Sequence, residues 1–169
     1  MDPVRRRTGS DEIDLEGLYR ASRDDVYAYV AALVRDRASA EEVTSAAFER
    51  ALSRRSSYAP ERGSPRAWLF GIARNAAYDE LRRRRRSQPV AEPHEHGRTD
   101  DDPTAEAAVR RAAIGQALAR LDRDDRELVA LRFEAGLPHA EVAQILGISE
   151  SNAATRLSRV VARLREGMG

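Results

Sequence analysis

One stretch of the sequence concentrates side chains that bind nucleic acids. Along a helical segment Arg74, Tyr78 and Arg82 recur at four-residue steps, with Asn75 and Asp79 beside them. Arginine neutralises phosphate, tyrosine stacks on an unpaired base, and asparagine or aspartate can hydrogen-bond a base edge. These residues alone leave two interpretations equally open: a nucleic-acid surface, or a solvated helix end that continues into an arginine run.

A second polar set follows a glycine-centred turn. The pattern predicts a short helix that stops at Gly147 and a second helix capped by Ser149, with the small Ala143 letting the two helices approach. This is typical of a helix-turn-helix. The outward residues of the second helix, placed as in a major-groove reader, are Ser151, Asn152, Ala154, Thr155, Arg156 and Arg159. A plain helical hairpin is the alternative.

Other chemistry is weakly represented in the sequence. The absence of cysteine excludes a disulfide framework, a thiolate metal site and a cysteine nucleophile. His94, Glu95 and His96 lie in a proline-containing acidic tract, without the helical spacing and further ligands of a metal site. No Ser-His-Asp set or phosphate loop is present. We therefore expect no catalytic residues, no metal and no cofactor, and a chain that is not an enzyme.

Amphipathic helices must position the first polar face. Apolar residues at three- and four-residue steps predict two helices before residue 35 and a third that begins near Ala40 with Ser39 as its cap. Ser64 and Pro65 predict the start of a long helix. Its apolar stripe comprises Trp68, Leu69, Ile72, Ala73 and Ala76, and Trp68 is expected in the core.

The charge distribution divides the chain into three parts. The net charge of +1 separates into +4 for residues 1–86, −5 for residues 87–107 and +2 for residues 108–169. The acidic middle part has almost no large apolar residue and cannot offset the entropy of ordering. We predict an all-α protein of two small helical domains joined by a flexible linker. No run of about 18 apolar residues predicts a membrane span.

Together the two halves resemble the extracytoplasmic-function (group four) sigma factors of bacterial RNA polymerase. AWLFGIARNAAYDELRRRRR is similar to the family's region two, and ALARLDRDDRELVALRFEAGLPHAEVAQILGISESNAATRLSRVVARLR is similar to region four. The likeness covers most of residues 12–166. Two departures stand out. AEEVTSAAF has Ser45 and Ala46 where glutamine and an acid are common, and SNAATRL keeps Arg156 and Leu157 but lacks the usual lysine.

The resemblance implies a helical bundle for region two, a helix-turn-helix for region four, and the following roles. The chain would direct core RNA polymerase to promoters and initiate DNA-templated transcription, without catalysis of its own. Region two would bind the polymerase clamp through Glu41, Glu42, Phe48 and Arg50. It would bind the minus-ten promoter element through Arg74, Asn75, Tyr78, Asp79, Arg82 and Arg83. Region four would contact the polymerase flap and bind the minus-thirty-five element through Ser151, Asn152, Thr155, Arg156 and Arg159.

The implied domains are a disordered N-terminus (1–11), region two (12–86), the acidic linker (87–107) and region four (108–166). An anti-sigma factor is a further implied partner, and the free chain is expected to be a cytoplasmic monomer. Because its net charge is near zero, the isolated chain should bind DNA weakly. The alternative function is an autonomous helix-turn-helix regulator that binds duplex DNA as a dimer.

Overall fold

The computed structural model describes residues 13–87 and 105–167. Within those ranges there are seven α-helices and no strand. They are α1 (Leu15–Val34), α2 (Arg37–Ser53), α3 (Pro65–Ser87), α4 (Ala105–Ala119), α5 (Arg123–Val129), α6 (His139–Leu146) and α7 (Glu150–Glu166). Two 3₁₀ turns, Arg55–Ser57 and Pro60–Arg62, connect α2 to α3, and a π-helical turn, Ala130–Glu134, continues α5. The all-α prediction is confirmed.

The predicted N-terminal segment (1–11) and most of the predicted linker lie outside the described residues. The two ends of that linker are helical, because α3 runs to Ser87 and α4 begins at Ala105. No described helix is long and apolar enough to cross a bilayer.

The first 20 residues of the fold form one helix rather than the two we predicted. The polar stretch at residues 20–25 contains no glycine or proline, so it continues the helix; most of it is exposed, but Ser22 is buried and accepts a hydrogen bond from Arg66. The Asp14 side chain accepts a hydrogen bond from the Gly17 amide at 2.9 Å and caps the start. Arg35 ends α1 in the left-handed conformation, with φ at 53°.

The next helix begins earlier than the pattern predicted. Asp36, rather than Ser39, is the cap of α2: its carboxylate accepts from the Ser39 amide at 2.9 Å, so the helix begins at Arg37. The cap predicted for α3 is confirmed, because the Ala67 amide donates to Ser64 Oγ at 3.1 Å.

The helix-turn-helix prediction is also confirmed. Gly147 ends α6 with φ at 67°, a left-handed conformation that glycine adopts without strain. The Ile148 amide then bonds to the Ala143 carbonyl at 3.0 Å, which tightens the turn. Ser149 caps α7 by accepting from the Asn152 amide at 3.1 Å.

The two halves share one continuous apolar core. Helices α1, α2 and α3 pack together, α1 also contacts α5 and the π-helical turn, and α3 contacts α6. Tyr29, Phe70 and Leu131 are fully buried in this core. Trp68, which we expected in the core, packs against it and is half-buried. We call this packing of α5, the π-helical turn and α6 against α1 and α3 the closed arrangement.

Candidate nucleic-acid interface

The predicted nucleic-acid face of α3 is partly covered by the second half of the chain. Glu127 of α5 is almost completely buried, and its carboxylate accepts three hydrogen bonds from the first half. Arg74 Nε donates to Oε1 at 2.6 Å, the Tyr78 hydroxyl donates to Oε2 at 2.7 Å, and the Tyr29 hydroxyl donates to Oε1 at 3.1 Å. We call these four residues the Glu127 site. Arg74 and Tyr78 are therefore engaged within the protein rather than open to solvent.

The electrostatics of the Glu127 site favour neutral phenols around one ion pair. Burial, followed by the hydrogen bond to Glu127, raises the pKa of Tyr78 to about 12. Burial and the charge of Glu127 raise the pKa of Tyr29 well above its ordinary value. Burial lowers the pKa of Arg74, but the hydrogen bond and charge of Glu127 outweigh it and the net shift is upward. Both tyrosines thus remain hydrogen-bond donors at neutral pH.

A second group of polar contacts joins the halves along the start of α3. Arg66 Nε donates to the Ala135 carbonyl at 2.8 Å, while its other nitrogens reach Ser22 and Asp25 on α1. The Ser64 amide donates to Glu141 Oε1 at 3.0 Å. This places a carboxylate at the N-terminus of α3, where the helix dipole favours it.

An open cavity of about 420 Å³ lies between α3 and α6. Trp68, Arg74 and Asn75 form part of its α3 wall, and Gln144 and Ile145 of α6 close the opposite side. The Gln144 side chain also donates to the Arg62 carbonyl. The Trp68 ring meets the Tyr58 ring edge-on at 5.7 Å. The cavity thus combines aromatic surface, an arginine and an amide, and α6 forms one of its walls in the closed arrangement.

The remaining predicted residues of α3 lie outside the covered area. Asp79 and Arg82 are exposed and paired, and Arg50 Nη1 of α2 donates to Asp79 Oδ2 at 2.9 Å. The hydrogen bonds from Arg82 and then Arg50 lower the pKa of Asp79. Arg83 pairs with Glu80 at 2.8 Å. The structure therefore joins Arg50, predicted to contact polymerase, to Asp79, predicted to contact DNA.

The other residues predicted to contact polymerase lie on one helix. Glu41 and Glu42 are exposed on α2. Phe48 is half-buried and meets the exposed ring of Tyr19 edge-on at 4.8 Å. Together they present an acidic and aromatic surface on the side formed by α1 and α2.

The polar face of α7 is open, with one exception. Ser151, Asn152, Thr155 and Arg159 are exposed. Arg156 is half-buried because its Nη2 donates to Asp125 Oδ1 at 3.1 Å, and Arg163 binds the same carboxylate. Asp125 is itself buried, so this group ties α7 to α5. Arg156 therefore has a structural partner that the helical pattern did not indicate.

Sequence reasoning missed Glu127, Tyr29 and Arg66. Glu127 lies four residues before Leu131 on a buried helical face, and a carboxylate in that position needs a partner. Tyr29 similarly lies between Val26 and Leu33 on an apolar stripe. The sequence positions of Glu127 and Tyr29 therefore indicate that their polar groups are buried. They do not indicate which residues form hydrogen bonds with those groups.

The described part of the chain contains no group of side chains that could bind a metal ion. No cluster of three or more potential ligands occurs in residues 13–87 and 105–167. His94, Glu95 and His96 lie outside the described residues.

Comparison with known proteins gives matches in both halves. The sigma-70 region 2 model matches residues 18–87, and the sigma-70 region 4 model matches residues 111–164. The ECF RNA polymerase sigma factor BldN of Streptomyces coelicolor is 35% identical over 172 residues, covering 97% of this chain and 65% of that protein. The chain thus spans just under two thirds of the length of this relative.

Two further matches cover nearly the full length of both proteins. RNA polymerase sigma factor CarQ of Myxococcus xanthus is 33% identical over 172 residues, covering 98% of this chain and 94% of that one. The structure of the sigma factor RpoE from Bartonella quintana, in complex with the anti-sigma factor NepR, superposes with a TM-score of 0.70. That match has 23% identity and covers 92% of this chain and 96% of the other, which shows a shared fold.

Proposed function

The chain belongs to the family of ECF RNA polymerase sigma factors, and on this premise we propose that it directs core RNA polymerase to promoters and initiates transcription there. The observation that supports this most is the presence, in one chain, of an arginine- and tyrosine-bearing face on α3 and a capped helix-turn-helix in α6 and α7. The two features serve different DNA structures. Unpaired bases suit the first, and the duplex groove suits the second.

The first half binds the melted minus-ten element in this proposal. Flipping a base out of the duplex costs a few kcal/mol, which stacking and hydrogen bonding can offset. The cavity beside Trp68 and Asn75 supplies both kinds of contact. Arg74, Arg82 and Arg83 bind phosphates, and Asn75, Tyr78 and Asp79 lie near the bases. Glu41, Glu42, Phe48 and Arg50 contact the polymerase clamp.

The second half binds the minus-thirty-five element as duplex DNA. The exposed residues Ser151, Asn152, Thr155 and Arg159 lie on one face of α7, at the positions from which a recognition helix contacts bases. Arg156 is the fifth residue that reads this element in the proposal, and its Nη2 also donates to Asp125 Oδ1 at 3.1 Å. The apolar helices of this half contact the polymerase flap.

The remaining parts of the proposal concern partners and location. The chain acts as a cytoplasmic monomer when free and performs no catalysis, since the polymerase forms the RNA bonds. An anti-sigma factor is a further proposed partner, because a structurally similar sigma factor was solved in complex with one.

Run-off transcription with core polymerase on a library of promoter sequences tests the proposal. We expect start sites that depend on this chain and share two spaced elements. The absence of any such start site would refute it. The alternative, an autonomous dimeric regulator, predicts instead that the isolated chain binds a palindromic duplex tightly. The two matched sigma-70 regions and the full-length similarity to sigma factors favour the first function.

A further inference from the structure

The Glu127 site has the construction of an anion-binding site. One guanidinium nitrogen and two phenol hydroxyls, all from α1 and α3, converge on a single carboxylate within 3.1 Å. All three groups donate hydrogen bonds to the carboxylate, and none of them carries a negative charge at neutral pH. Charge-assisted hydrogen bonds from arginine and tyrosine are equally suited to phosphate oxygens. The donors therefore define a pocket for an oxyanion on the first half of the chain.

The present occupant of this pocket comes from the other half. The Glu127 side chain is only 2% exposed. The three donors around its carboxylate offset the cost of burying a negative charge. Arg74 remains 31% exposed, so the pocket lies at the edge of the covered surface rather than deep in the core. The Arg74 guanidinium also lies over the Tyr78 ring, 4.9 Å from its centroid. This contact holds the donors in place beside one another.

The same packing covers the neighbouring cavity. Gln144 and Ile145 of α6 close it opposite Trp68 and Asn75, and Glu141 binds the backbone at the start of α3. Two of the predicted DNA-contacting residues of α3, Arg74 and Tyr78, are thus bound by α5, and α6 forms one wall of the cavity beside them. Because Tyr29 and Glu127 are buried, a phosphate of a nucleic-acid strand cannot replace the Glu127 carboxylate until α5 moves away from α1 and α3.

We propose that Tyr29, Arg74 and Tyr78 form a binding site for a DNA backbone phosphate, and that Glu127 occupies this site in the isolated chain as an internal competitor. The inference rests on the proposed function for its ligand, since promoter DNA is the phosphate source. It adds a regulatory step: the halves must part before the first half accepts a single strand. The weak DNA binding expected from net charge then has a second, structural cause.

The test uses the full-length chain carrying two fluorescent labels. Because the sequence has no cysteine, Ala38→Cys on α2 and Ala162→Cys on α7 introduce unique attachment points at exposed positions. Energy transfer between them reports the separation of the halves. Fluorescence anisotropy with a single-stranded DNA 20-mer, in the absence of polymerase, reports binding. Circular dichroism establishes that each variant retains its helices.

Glu127→Gln removes the competing charge but retains the shape of the side chain. We expect lower energy transfer and roughly tenfold tighter binding of the 20-mer, because affinity rises with the fraction of chains in the competent state. Asp124→Asn is the matched control: it makes the same charge change at an exposed position of the same helix and should alter neither measurement. Equal effects of the two variants would show that net charge alone is responsible.

Arg74→Ala distinguishes the separation of the two halves from the binding of phosphate. It leaves Glu127 without its charged partner, so energy transfer should fall as it does for Glu127→Gln. Binding of the 20-mer should not improve, because the phosphate site itself has lost its cation. If Glu127→Gln changes neither distance nor affinity, or if Arg74→Ala binds DNA as tightly as Glu127→Gln, the proposal is wrong. The energy-transfer result stands independently of run-off transcription, so failure of the proposed function would be recognised separately.

Discussion

The polar faces of α3 and α7 carry similar residues but lie in different surroundings. Both present arginine and asparagine at helical spacing, and both helices begin at a serine cap. The face of α7 is mainly open, with only Arg156 engaged by a neighbouring carboxylate. The face of α3 has Arg74 and Tyr78 bound to Glu127 and an adjacent cavity covered by α6. Residue type alone therefore does not determine which face is available to a ligand.

The difference matches the two DNA structures in the proposed function. Duplex DNA exists before polymerase acts, and the exposed face of α7 is available to it. Unpaired bases exist only after melting, and on the α3 face Arg74 and Tyr78 are bound to Glu127 in the isolated chain. The comparison predicts that the isolated chain presents the duplex-binding face of α7 but withholds Arg74 and Tyr78 of the single-strand-binding face of α3.

The largest expected effect concerns whether the two halves are stable independently. Phe70 is fully buried in α3 and meets Tyr29 edge-on at 5.5 Å. Phe70→Ala should lower the free energy of unfolding by about 3–5 kcal/mol through the cavity it leaves. Because the core continues from α1 into α5, amide hydrogen exchange should accelerate in α7 as well as in α3.

Val109→Ala is the control for this substitution. Val109 is an apolar residue on α4 that is 70% exposed, so its truncation should change stability by less than about 0.5 kcal/mol. If Phe70→Ala accelerates exchange in α1 to α3 and leaves α7 unchanged, the halves unfold separately and the continuous core contributes no coupling.

The next effect compares the two asparagines. Asn152→Ala should weaken discrimination at one upstream base pair by about 1–3 kcal/mol, since a base-specific hydrogen-bonding pair is worth that much. Asn75→Ala should leave upstream preference intact and change selection at the minus-ten element. Run-off transcription with core polymerase on a library varied at both elements measures both. An equal loss on all promoters would instead assign Asn152 a structural role.

A smaller effect concerns the cap of the recognition helix. Ser149→Ala removes the acceptor for the Asn152 amide, 3.1 Å away, and should lower the free energy of unfolding by about 1 kcal/mol. Urea unfolding monitored by circular dichroism measures this. Ser151→Ala, two residues further on at an exposed position, should have less effect. If both variants lower the free energy of unfolding equally, the hydrogen bond from the Asn152 amide to Ser149 does not stabilise α7.

The smallest effect concerns the exposed part of α3. The hydrogen bonds from Arg82 and Arg50 lower the pKa of Asp79, so their contribution to stability is fully present above the ordinary pKa of aspartate. It is lost as pH falls through the lowered folded-state value. In a carboxyl NMR titration, Arg50→Ala should raise the pKa of Asp79. Arg37→Ala, which removes the partner of Glu41 instead, should leave the Asp79 titration unchanged.

Local features of the fold were predictable from the sequence because they depend on neighbouring residues. The caps at Ser64 and Ser149 and the stop at Gly147 each involve backbone groups within a few positions. The cap of α2 was misplaced because Asp36 and Ser39 are both good capping residues, and the geometry selects the first. The apolar pattern could not show that polar residues 20–25 continue α1.

The Glu127 site could not be predicted in this way. Tyr29 and Glu127 are 98 positions apart, and Arg74 and Glu127 are 53 apart. Helical periodicity shows that such residues face inward, but the partner depends on how two amphipathic bundles pack against each other. For the same reason, the α3 face was predicted by residue type, whereas its covering by α5 and α6 was not.

The position of Trp68 has an optical consequence. It is the single tryptophan of the chain and lines the wall of the cavity that Gln144 and Ile145 close from the opposite side. Departure of α6 would expose more of the half-buried indole ring to water and shift its emission to longer wavelength. The intrinsic fluorescence of the unlabelled protein would therefore report the proposed separation of the two halves.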